Sequence, residues 1–232
     1  MKLIPKNGGL AIDIGARDGY VSVLLTDYFD VVTALDLDKP SIEHEKVYCV
    51  KGDITELNFP NESFDLVFCA EVLEHIPKRQ LDKACLELCR VAKNYVLIGV
   101  PYKQDIRIGR TTCYNCGKVN PPYGHVNVFE ENRLTRLFHG MEVQNVSFVG
   151  ENYEATNYLS TCLMDLAGNP YGTYSQKESC IYCSSKLIAP SRRSYLQKAQ
   201  TRLAHYINRA QKPFVNAQPN WIHILFRKQA KT

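Results

Sequence analysis

Short apolar runs alternate with amphipathic segments along the first 150 residues of the chain. Runs rich in Val, Ile, Leu and Phe are typical of buried strands, and here they are Leu10–Ile14, Val31–Leu35, Val47–Val50, Phe64–Cys69, Tyr95–Val100 and Val143–Val149. Apolar residues at helical spacing predict helices over Tyr20–Tyr28, Gln80–Val91 and Asn132–Phe138. This alternation predicts βαβ units, and therefore an α/β fold with a mostly parallel sheet.

The alternation stops after residue 150. Residues 150–190 are rich in Tyr, Asn, Ser, Gly and Cys, Ser191–Ala210 is predicted to be a basic amphipathic helix, and Trp221–Phe226 is a final strand. A segment of that length between two strands is too long for a plain loop and should carry structure of its own. We expect one domain over residues 1–232, with insertions at 101–126 and 150–220.

Composition and charge narrow the class of protein. Of the 232 residues, 45% are hydrophobic and 22% are charged, which is typical of a folded globular protein. The net charge of +4 permits an anionic partner without requiring one, so nucleic acid is possible but not favoured. We find no secretory signal or membrane-spanning run and expect a cytoplasmic protein, in which nine cysteines favour metal binding over disulfides.

A glycine-containing turn follows the first predicted strand. The strand runs into Gly15 and Gly19, and a helix begins directly afterwards. Glycine lets the backbone approach a ligand closely, and a helix N-terminus offers free N–H groups and a positive dipole end. The pattern is typical of a nucleotide-binding crevice but also of an ordinary tight turn, so the following strands must decide between the two.

Acidic residues stand at the ends of the next three predicted strands. Asp36 ends the second strand, 17 residues past Gly19, where a carboxylate can accept hydrogen bonds from both ribose hydroxyls of a nucleoside. Asp53 and Glu71 follow the third and fourth strands. Each of them alone is also explained as a solvated turn residue. Their order at successive strand ends predicts one polar crevice at the edge of the sheet.

The order of these residues resembles the motifs of the class I S-adenosylmethionine-dependent methyltransferases. Asp13, Gly15, Arg17 and Gly19 stand where that family has an acidic residue followed by Gly-x-Gly-x-Gly, and Arg17 replaces the middle glycine. The segment Glu71–Pro77 is similar to the E-V-L-E-H segment of many small-molecule members. The resemblance covers the first five predicted strands and the final one.

This resemblance implies a Rossmann-like, mostly parallel seven-stranded sheet with helices on both faces, and S-adenosylmethionine as the cofactor. It implies that Asp36 holds the ribose and that Asp53 lies near the adenine amino group. The residues it implies for cofactor binding are Asp13, Gly15, Ala16, Arg17, Gly19, Asp36, Leu37, Asp53, Ile54, Ala70 and Glu71. A dinucleotide dehydrogenase would share the turn and the acidic residue, but it would not explain Asp53 or the segment Glu71–Pro77.

Two C-x-x-C pairs, separated by 63 intervening residues, are the second motif with metal-binding chemistry. Each pair can form a knuckle, a tight turn that presents two thiolates to one tetrahedral metal, and four thiolates suit Zn²⁺. We expect a structural zinc site that joins the two insertions into a lid, with the ligands Cys113, Cys116, Cys180 and Cys183. The alternative is a set of unrelated reduced cysteines or one redox-active pair.

His125 is the candidate general base. Methyl transfer from a sulfonium is an in-line displacement, so positioning dominates, and a hydroxyl acceptor also gains from a base. Segments of the form G-H-x-x-x-F, here Gly124–Phe129, occur at this place in related methyltransferases, near the acceptor side. The alternative is a structural histidine that bonds a loop backbone, or an accessory metal ligand.

Two features of the second insertion have a structural and a functional interpretation. Five tyrosines either wall an acceptor pocket or form the insertion's own small core, which we favour: Tyr153, Tyr158, Tyr171, Tyr174 and Tyr182. The basic helix either contacts anionic lipid or RNA, or simply solvates its outer face, which we also favour.

Together these features predict a methyltransferase that acts on a small molecule or glycan, at oxygen. A second hypothesis is a macromolecular methyltransferase that docks RNA or protein through the zinc lid and the basic helix. A third is a catalytically silent binding module in which Arg17 has spoiled the cofactor loop.

Overall fold

The apolar runs form one seven-stranded sheet. The computed structural model describes residues 3–5, 8–154, 156–176 and 178–229; residues 1, 2, 6, 7 and 230–232 of the predicted domain, and 155 and 177 of the predicted insertion, lie outside the described residues. The strands of this sheet are β1 (Leu10–Ile14), β2 (Val31–Asp36), β3 (Val47–Lys51), β4 (Phe64–Ala70), β5 (Ala92–Pro101), β8 (Met141–Val149) and β9 (Trp221–Lys228). Their spatial order is β3-β2-β1-β4-β5-β9-β8.

The sheet is parallel over five strands and antiparallel at one edge. β3, β2, β1, β4 and β5 pair in parallel, whereas β9 pairs antiparallel with both β5 and β8. β1 stands between β2 and β4, so the chain changes direction across the sheet there. In open α/β sheets the crevice at such a switch point, outside the carboxyl ends of the strands, is where ligands bind.

Helices cover both faces of this sheet. In β1, Ile12 and Ile14 pack with α2 (Lys78–Val91) and α3 (Glu131–Leu137), whereas Ala11 packs on the other side with α1 (Tyr20–Leu25). Successive strand residues point to opposite faces, so a run buried on both sides is apolar throughout. The expected fold, a Rossmann-like and mostly parallel seven-stranded sheet with helices on both faces, is confirmed.

The chain divides into two compact units. The sheet unit comprises Met1–Tyr102, Phe129–Gly150 and Asn220–Thr232, and the insert unit comprises Lys103–Val128 and Glu151–Pro219. Among the described residues, no helix combines the length and apolar composition needed to cross a membrane.

The insert unit contains a small hairpin and two helices. The hairpin pairs β6 (Thr111–Thr112) with β7 (Val119–Asn120), and the helices α4 (Tyr158–Leu166) and α5 (Tyr195–Gln211) pack against each other. Both helices begin at a capping box, in which the side chain of Asn157 or Ser194 accepts a hydrogen bond from the backbone N–H three residues later. α5 therefore begins at Tyr195, not at Ser191 as the sequence pattern suggested, and α4 was not predicted.

The expectation that the tyrosines form a small core of the insert unit is wrong for four of the five. Tyr153, Tyr158, Tyr171 and Tyr182 are exposed, and only Tyr174 packs among the cysteines. Its hydroxyl accepts a hydrogen bond from the Thr112 N–H and donates one to the carbonyl oxygen of Gly168. A phenol can be buried when its O–H finds partners in this way, and the other four rings stay in solvent.

Candidate active site and metal centre

The turn after β1 is fastened to β2 by backbone hydrogen bonds. The N–H groups of Gly15 and Ala16 both donate to the carbonyl oxygen of Leu35, at 2.8 and 3.1 Å. The Gly19 N–H closes the turn by donating to the Ala16 carbonyl oxygen at 2.7 Å. The loop is therefore held at the carboxyl end of the parallel sheet, at the switch point beside β1.

Gly15 and Gly19 are required by the conformation of the turn and by its packing. Their φ angles are +80° and +79°, a region that residues with a Cβ rarely adopt. A Cβ atom on Gly15 would stand 2.3 Å from Val72 Cγ2, and one on Gly19 would stand 2.3 Å from Ile42 Cδ1. Side chains of the same chain therefore occupy the space that a Cβ atom would need at Gly15 and Gly19.

Arg17, at the middle position of the motif, keeps the left-handed backbone that glycine would favour. Its φ is +46°, which costs a residue with a side chain on the order of 1–2 kcal/mol. The Arg17 N–H donates to Asp36 Oδ2 at 3.0 Å, so the loop is tied to the end of β2 through this residue. The replacement leaves the turn formed.

Asp36 is held rigidly at the end of β2. While Oδ2 accepts the Arg17 N–H, Oδ1 accepts the N–H of Leu37 at 2.7 Å. Each carboxylate oxygen has two lone pairs, so each oxygen retains one for a further donor. The geometry suits a carboxylate that accepts two neighbouring hydroxyls, and Leu37 contributes a backbone group and not its exposed side chain.

Asp13 lies inside the fold, in the strand that leads to the turn. Its side chain is only 3% exposed, and Oδ2 accepts a 2.6 Å hydrogen bond from the Ser22 hydroxyl of α1. Burial raises the pKa of Asp13 to about 6, although the Ser22 hydrogen bond opposes the shift. Asp13 therefore links β1 to the helix after the turn, so its contribution to the site is to shape the loop.

Asp53 and Ile54 lie just beyond β3. Asp53 Oδ1 accepts hydrogen bonds from both the N–H and the hydroxyl of Thr55, each at 2.8 Å, which closes a local turn. The side chain of Ile54 is buried in the core. The Gly52 N–H donates to the Asp36 carbonyl oxygen, so the turn after β3 is anchored to the end of β2.

Ala70 and Glu71 lie at the carboxyl end of β4. Ala70 is the last residue of the strand, and the Glu71 N–H donates to the Gly99 carbonyl oxygen of β5 at 2.9 Å. Glu71 has a φ of +55°, an uncommon conformation for a glutamate. The predicted cofactor residues thus stand at the carboxyl ends of four neighbouring parallel strands, β3, β2, β1 and β4.

Glu74, in the segment Glu71–Pro77, was not among the predicted site residues. Its side chain is completely buried, and burial, followed by the charge of Glu71, raises its pKa to about 8. A glutamate held neutral at physiological pH is typical of a functional site. The signal in the sequence was its place in the segment Glu71–Pro77, which resembles the E-V-L-E-H segment of the methyltransferases.

The insert unit brings the four predicted metal ligands together. The Sγ atoms of Cys113 and Cys183 are 3.6 Å apart, those of Cys116 and Cys180 are 3.7 Å apart, and all four lie within 4.8 Å of one another. A tetrahedral Zn–S₄ centre with bonds of about 2.3 Å has sulfur separations of about 3.8 Å. A disulfide would need about 2.05 Å, so the arrangement fits a metal centre.

The two knuckles have the same backbone geometry. In the first, the Gly117 N–H donates to the Cys113 carbonyl oxygen, and in the second the Ser184 N–H donates to the Cys180 carbonyl oxygen. Gly117 and Ser184 occupy equivalent positions with φ of +70° and +57°. The first knuckle has the expected glycine at this position. The second knuckle has a serine, which adopts the same left-handed conformation with some backbone strain.

Donors around the Cys183 sulfur favour its thiolate form. The hydroxyl of Ser185, together with its N–H and the Asn115 amide, lowers the pKa of Cys183 to about 6. The side chain of Asn120, on β7, accepts the Ile181 N–H at 2.9 Å and so fastens the second knuckle to the hairpin that carries the first. A metal ligand has to be deprotonated, so these donors suit metal binding.

His125, also in the insert unit, is buried. Its Nδ1 lies 2.6 Å from Gln104 Oε1, and the Tyr123 ring is a neighbour at 5.7 Å between centroids. With the amide oxygen of Gln104 facing it, Nδ1 is assigned as the nitrogen that carries the hydrogen in this contact. In the neutral imidazole, Nε2 is then the nitrogen that holds the lone pair.

Comparison with known proteins supports a methyltransferase fold. Residues 12–98 match the family model described as Methyltransferase domain. The chain is 27% identical over 142 residues to a Mycolicibacterium smegmatis protein named "Probable S-adenosylmethionine-dependent methyltransferase". The match covers 58% of this chain, and the chain spans only about half, 52%, of that relative's length.

Solved structures share the fold at low sequence identity. The YcgJ protein of Bacillus subtilis superposes with a TM-score of 0.58 at 16% identity, covering 99% of this chain and 96% of the other. An S-adenosylmethionine-dependent methyltransferase of Mesorhizobium loti gives 0.52 at 12% identity, covering 98% and 94%. The [4+2]-cyclase SpnF gives 0.55 at 14% identity, covering 97% and 76%, so this fold alone does not fix the reaction. By sequence over residues 12–98 and by fold over the sheet, the chain has the architecture of the class I S-adenosylmethionine-dependent methyltransferases.

Proposed function

We propose that this chain is an S-adenosylmethionine-dependent methyltransferase that acts on a hydroxyl of a small molecule or glycan. One observation carries the proposal: Asp36 is fixed at the end of β2 by the N–H groups of Arg17 and Leu37, beside the glycine turn at the switch point of the sheet. A carboxylate there recognises the ribose of a nucleoside cofactor. The match of residues 12–98 to a methyltransferase domain supports the same conclusion.

The residues at the strand ends would hold the cofactor. Asp36 would accept the ribose hydroxyls through its two remaining lone pairs, Asp53 would lie near the adenine, and Asp13 would brace the loop from below. When bound, S-adenosylmethionine supplies an electrophilic methyl group on a sulfonium. The protein's part is then to orient the acceptor for in-line displacement.

His125 is the proposed general base. The hydrogen bond with Gln104 Oε1 selects the tautomer in which Nε2 can take a proton, which a hydroxyl acceptor must lose as the methyl group arrives. Gln104 would act as a positioning residue, because its hydrogen bond would fix the tautomer of His125. This pairing is the specific observation that favours transfer to oxygen over transfer to an unprotonated amine.

A structural zinc ion is part of the proposal. The sulfur separations of 3.6 and 3.7 Å fit a Zn–S₄ tetrahedron, and four protein ligands would leave no coordination position for a substrate. Cys113, Cys116, Cys180 and Cys183 would therefore supply folding free energy to the insert unit and take no part in methyl transfer. None of the nine cysteines is in a disulfide, and a reducing, cytoplasmic location is part of the same proposal.

Calorimetric titration with S-adenosylmethionine and S-adenosylhomocysteine tests the cofactor site. We expect Asp36→Ala to weaken binding of both by about tenfold or more, because two hydrogen bonds to a charged group are lost. Asp38→Ala is the matched control, since Asp38 is fully exposed, stands two residues away and has its Oδ1 4.0 Å from Lys51 Nζ. It should bind like the wild type.

A further variant separates cofactor binding from chemistry. His125→Asn should titrate like the wild type and lose turnover once an acceptor has been found by screening hydroxylated small molecules and glycans. If zinc-loaded wild-type protein binds neither S-adenosylmethionine nor S-adenosylhomocysteine, the methyltransferase proposal is wrong. The chain would then be a silent binding module.

A further inference from the structure

Helix α5 packs its polar face inward. Thr201 and Ala204 are buried, and Gln197, Gln200 and Asn208 are half-buried on the same side. At 3.6 residues per turn these positions lie within an arc of about 100°. The Thr156 hydroxyl donates to Asn208 Oδ1 at 3.3 Å, so the contact with the segment leading into α4 is itself polar. Small and polar side chains thus make up most of the inward face, with the half-buried Ile207 beside them.

Most of the large apolar side chains of α5 point to solvent. Leu196, Leu203 and Tyr206 are 69%, 52% and 66% exposed, and Ala199 and Ala210 are exposed between them. Their spacing of three and four residues places all five in one stripe, within an arc of about 80°. A helix of a globular protein usually buries such a stripe, and a contiguous exposed apolar patch is typical of an interaction site.

A basic stripe runs along the neighbouring side of the same helix. Its members are exposed: Lys198, Arg202, His205, Arg209 and, at the C-terminal cap, Lys212. No Asp or Glu occurs anywhere in residues 179–232. Residues 186–212 contain seven Lys and Arg, and without those seven the chain has 21 Lys and Arg against 24 Asp and Glu. The positive charge of the protein is thus concentrated around α5.

We propose that α5 is an interfacial helix that docks the protein on an anionic membrane surface. An exposed apolar stripe beside a basic stripe is the pattern of helices that lie in the headgroup region of a bilayer. Tyr195 is 91% exposed and has the Lys198 ammonium 5.5 Å from the centre of its ring, and Phe214 is 88% exposed just after the helix. Aromatic rings at the helix ends suit the interface between lipid and water.

Two other occupants of this surface fit the observations less well. RNA would use the basic stripe but would leave Leu196 and Leu203 exposed to water. A second copy of the chain would cover the leucines but would bring two basic stripes together without acidic residues of the same segment to neutralise them. Of these three occupants, only an anionic bilayer uses both stripes at once. This proposal does not depend on the methyl-transfer reaction.

Flotation of the full chain with lipid vesicles tests the proposal. Vesicles of phosphatidylcholine containing about one-third phosphatidylglycerol should bind the protein, and pure phosphatidylcholine vesicles should not. Raising the salt from about 0.1 M to about 1 M should release it, because the screening length falls from about 10 to about 3 Å. Methyl transfer is not measured, so the outcome is independent of the proposed function.

Two double variants separate the stripes. Arg202→Gln with Arg209→Gln should weaken vesicle binding by about 25-fold, at about fivefold per charge. Leu196→Gln with Leu203→Gln should weaken it by about tenfold or more. The matched control is Lys83→Gln with Leu86→Gln, an exposed basic residue and an exposed leucine on α2, and it should bind like the wild type.

Three outcomes would overturn the proposal. The first is equal binding by all variants or equal binding to neutral vesicles. The second is binding of single-stranded RNA that the arginine pair abolishes and the leucine pair does not. The third is a dimer in light scattering, without lipid, that the leucine pair dissociates, which would identify a second copy as the occupant of the apolar stripe.

Discussion

Burial of the Glu74 side chain makes the free energy of unfolding depend on pH. It is completely buried and has a pKa of about 8, against about 4.3 in an unfolded chain. Below about pH 4 the carboxyl group is protonated in both states and the cost is absent. Between pH 4.5 and 8 only the unfolded state ionises, so the stability of the folded protein falls as the pH rises.

Replacement of Glu74 by glutamine should remove this dependence. Glu74→Gln keeps the size of the side chain and cannot ionise, so it should be more stable than the wild type above pH 8. The gain should be a few kcal/mol, because each unit of pKa shift corresponds to about 1.4 kcal/mol of stability. The two proteins should be equal near pH 4. Urea unfolding at a series of pH values measures the difference, and a difference that does not change with pH would contradict it.

Asp13 and Arg17 show which properties of a single residue could be predicted from the sequence and which could not. The acidic residue at position 13 was expected from the motif, and the structure places it in the fold with Ser22 as its partner. The left-handed backbone of Arg17 was not predictable, because arginine has no preference for that region. There the N–H bond to Asp36, a contact across 19 residues, holds the conformation that the side chain disfavours.

At the scale of elements, the two C-x-x-C knuckles depend on each other. Neither knuckle has a large core of its own: Cys113, Cys180 and Leu187 form the buried cluster there. A shared metal would therefore supply much of the free energy that holds the hairpin β6–β7 next to the second knuckle. Removal of one ligand should release the metal from both.

Cysteine variants test this dependence. Cys116→Ser and Cys180→Ser should each reduce bound zinc from about one ion per chain to near zero. Cys49→Ser, which changes a half-buried thiol of the sheet unit, is the control and should keep its zinc. If the variants fail to fold, cobalt substitution of the wild type gives the same information through the spectrum of a tetrahedral thiolate site. A spectrum without such bands would contradict the metal centre.

The helices of the insert unit show how far element prediction reached. α5 was expected from its periodicity, and Ser194 rather than Ser191 supplies its cap. α4 was not predicted because its first turn contains Ser160 and Thr161, which are weak helix formers. The capping box with Asn157 stabilises this turn. In α5 the periodicity gave the right helix but did not show which of its faces is buried.

At the scale of the whole molecule, the two units separate the proposed ligands. All proposed cofactor residues belong to the sheet unit, and all four cysteines belong to the insert unit. A chain with two compact units and two ligands need not unfold in one step. Ligand binding stabilises only the unit whose folded state binds it.

Differential scanning calorimetry should therefore resolve two responses. S-adenosylhomocysteine at about 100 times its Kd should stabilise the sheet unit by about 2.7 kcal/mol and leave the transition of the insert unit in place. A zinc chelator should do the reverse, lowering the insert transition alone. One transition that moves equally with both ligands would contradict the separation.

The sequence by itself determined the fold class, the strands of the sheet and the positions of the acidic residues at strand ends. These depend on periodicity and on turn residues within a few positions, which are local properties of a chain. The pairing of the cysteines was predictable too, because the chemistry of four thiolates is the same at any sequence separation. Tertiary structure then placed their sulfur atoms at 3.6 and 3.7 Å.

Only the tertiary structure decided the strand order, the backbone of Arg17, the burial of Glu74 and the exposed tyrosines. It also decided that α5 turns its polar face inward. A residue's environment depends on what packs against it from distant parts of the chain, and no local pattern contains that information. Burial of apolar surface favours the opposite orientation for Leu196 and Leu203, and these exposed leucines are the surface that the proposed membrane docking would cover.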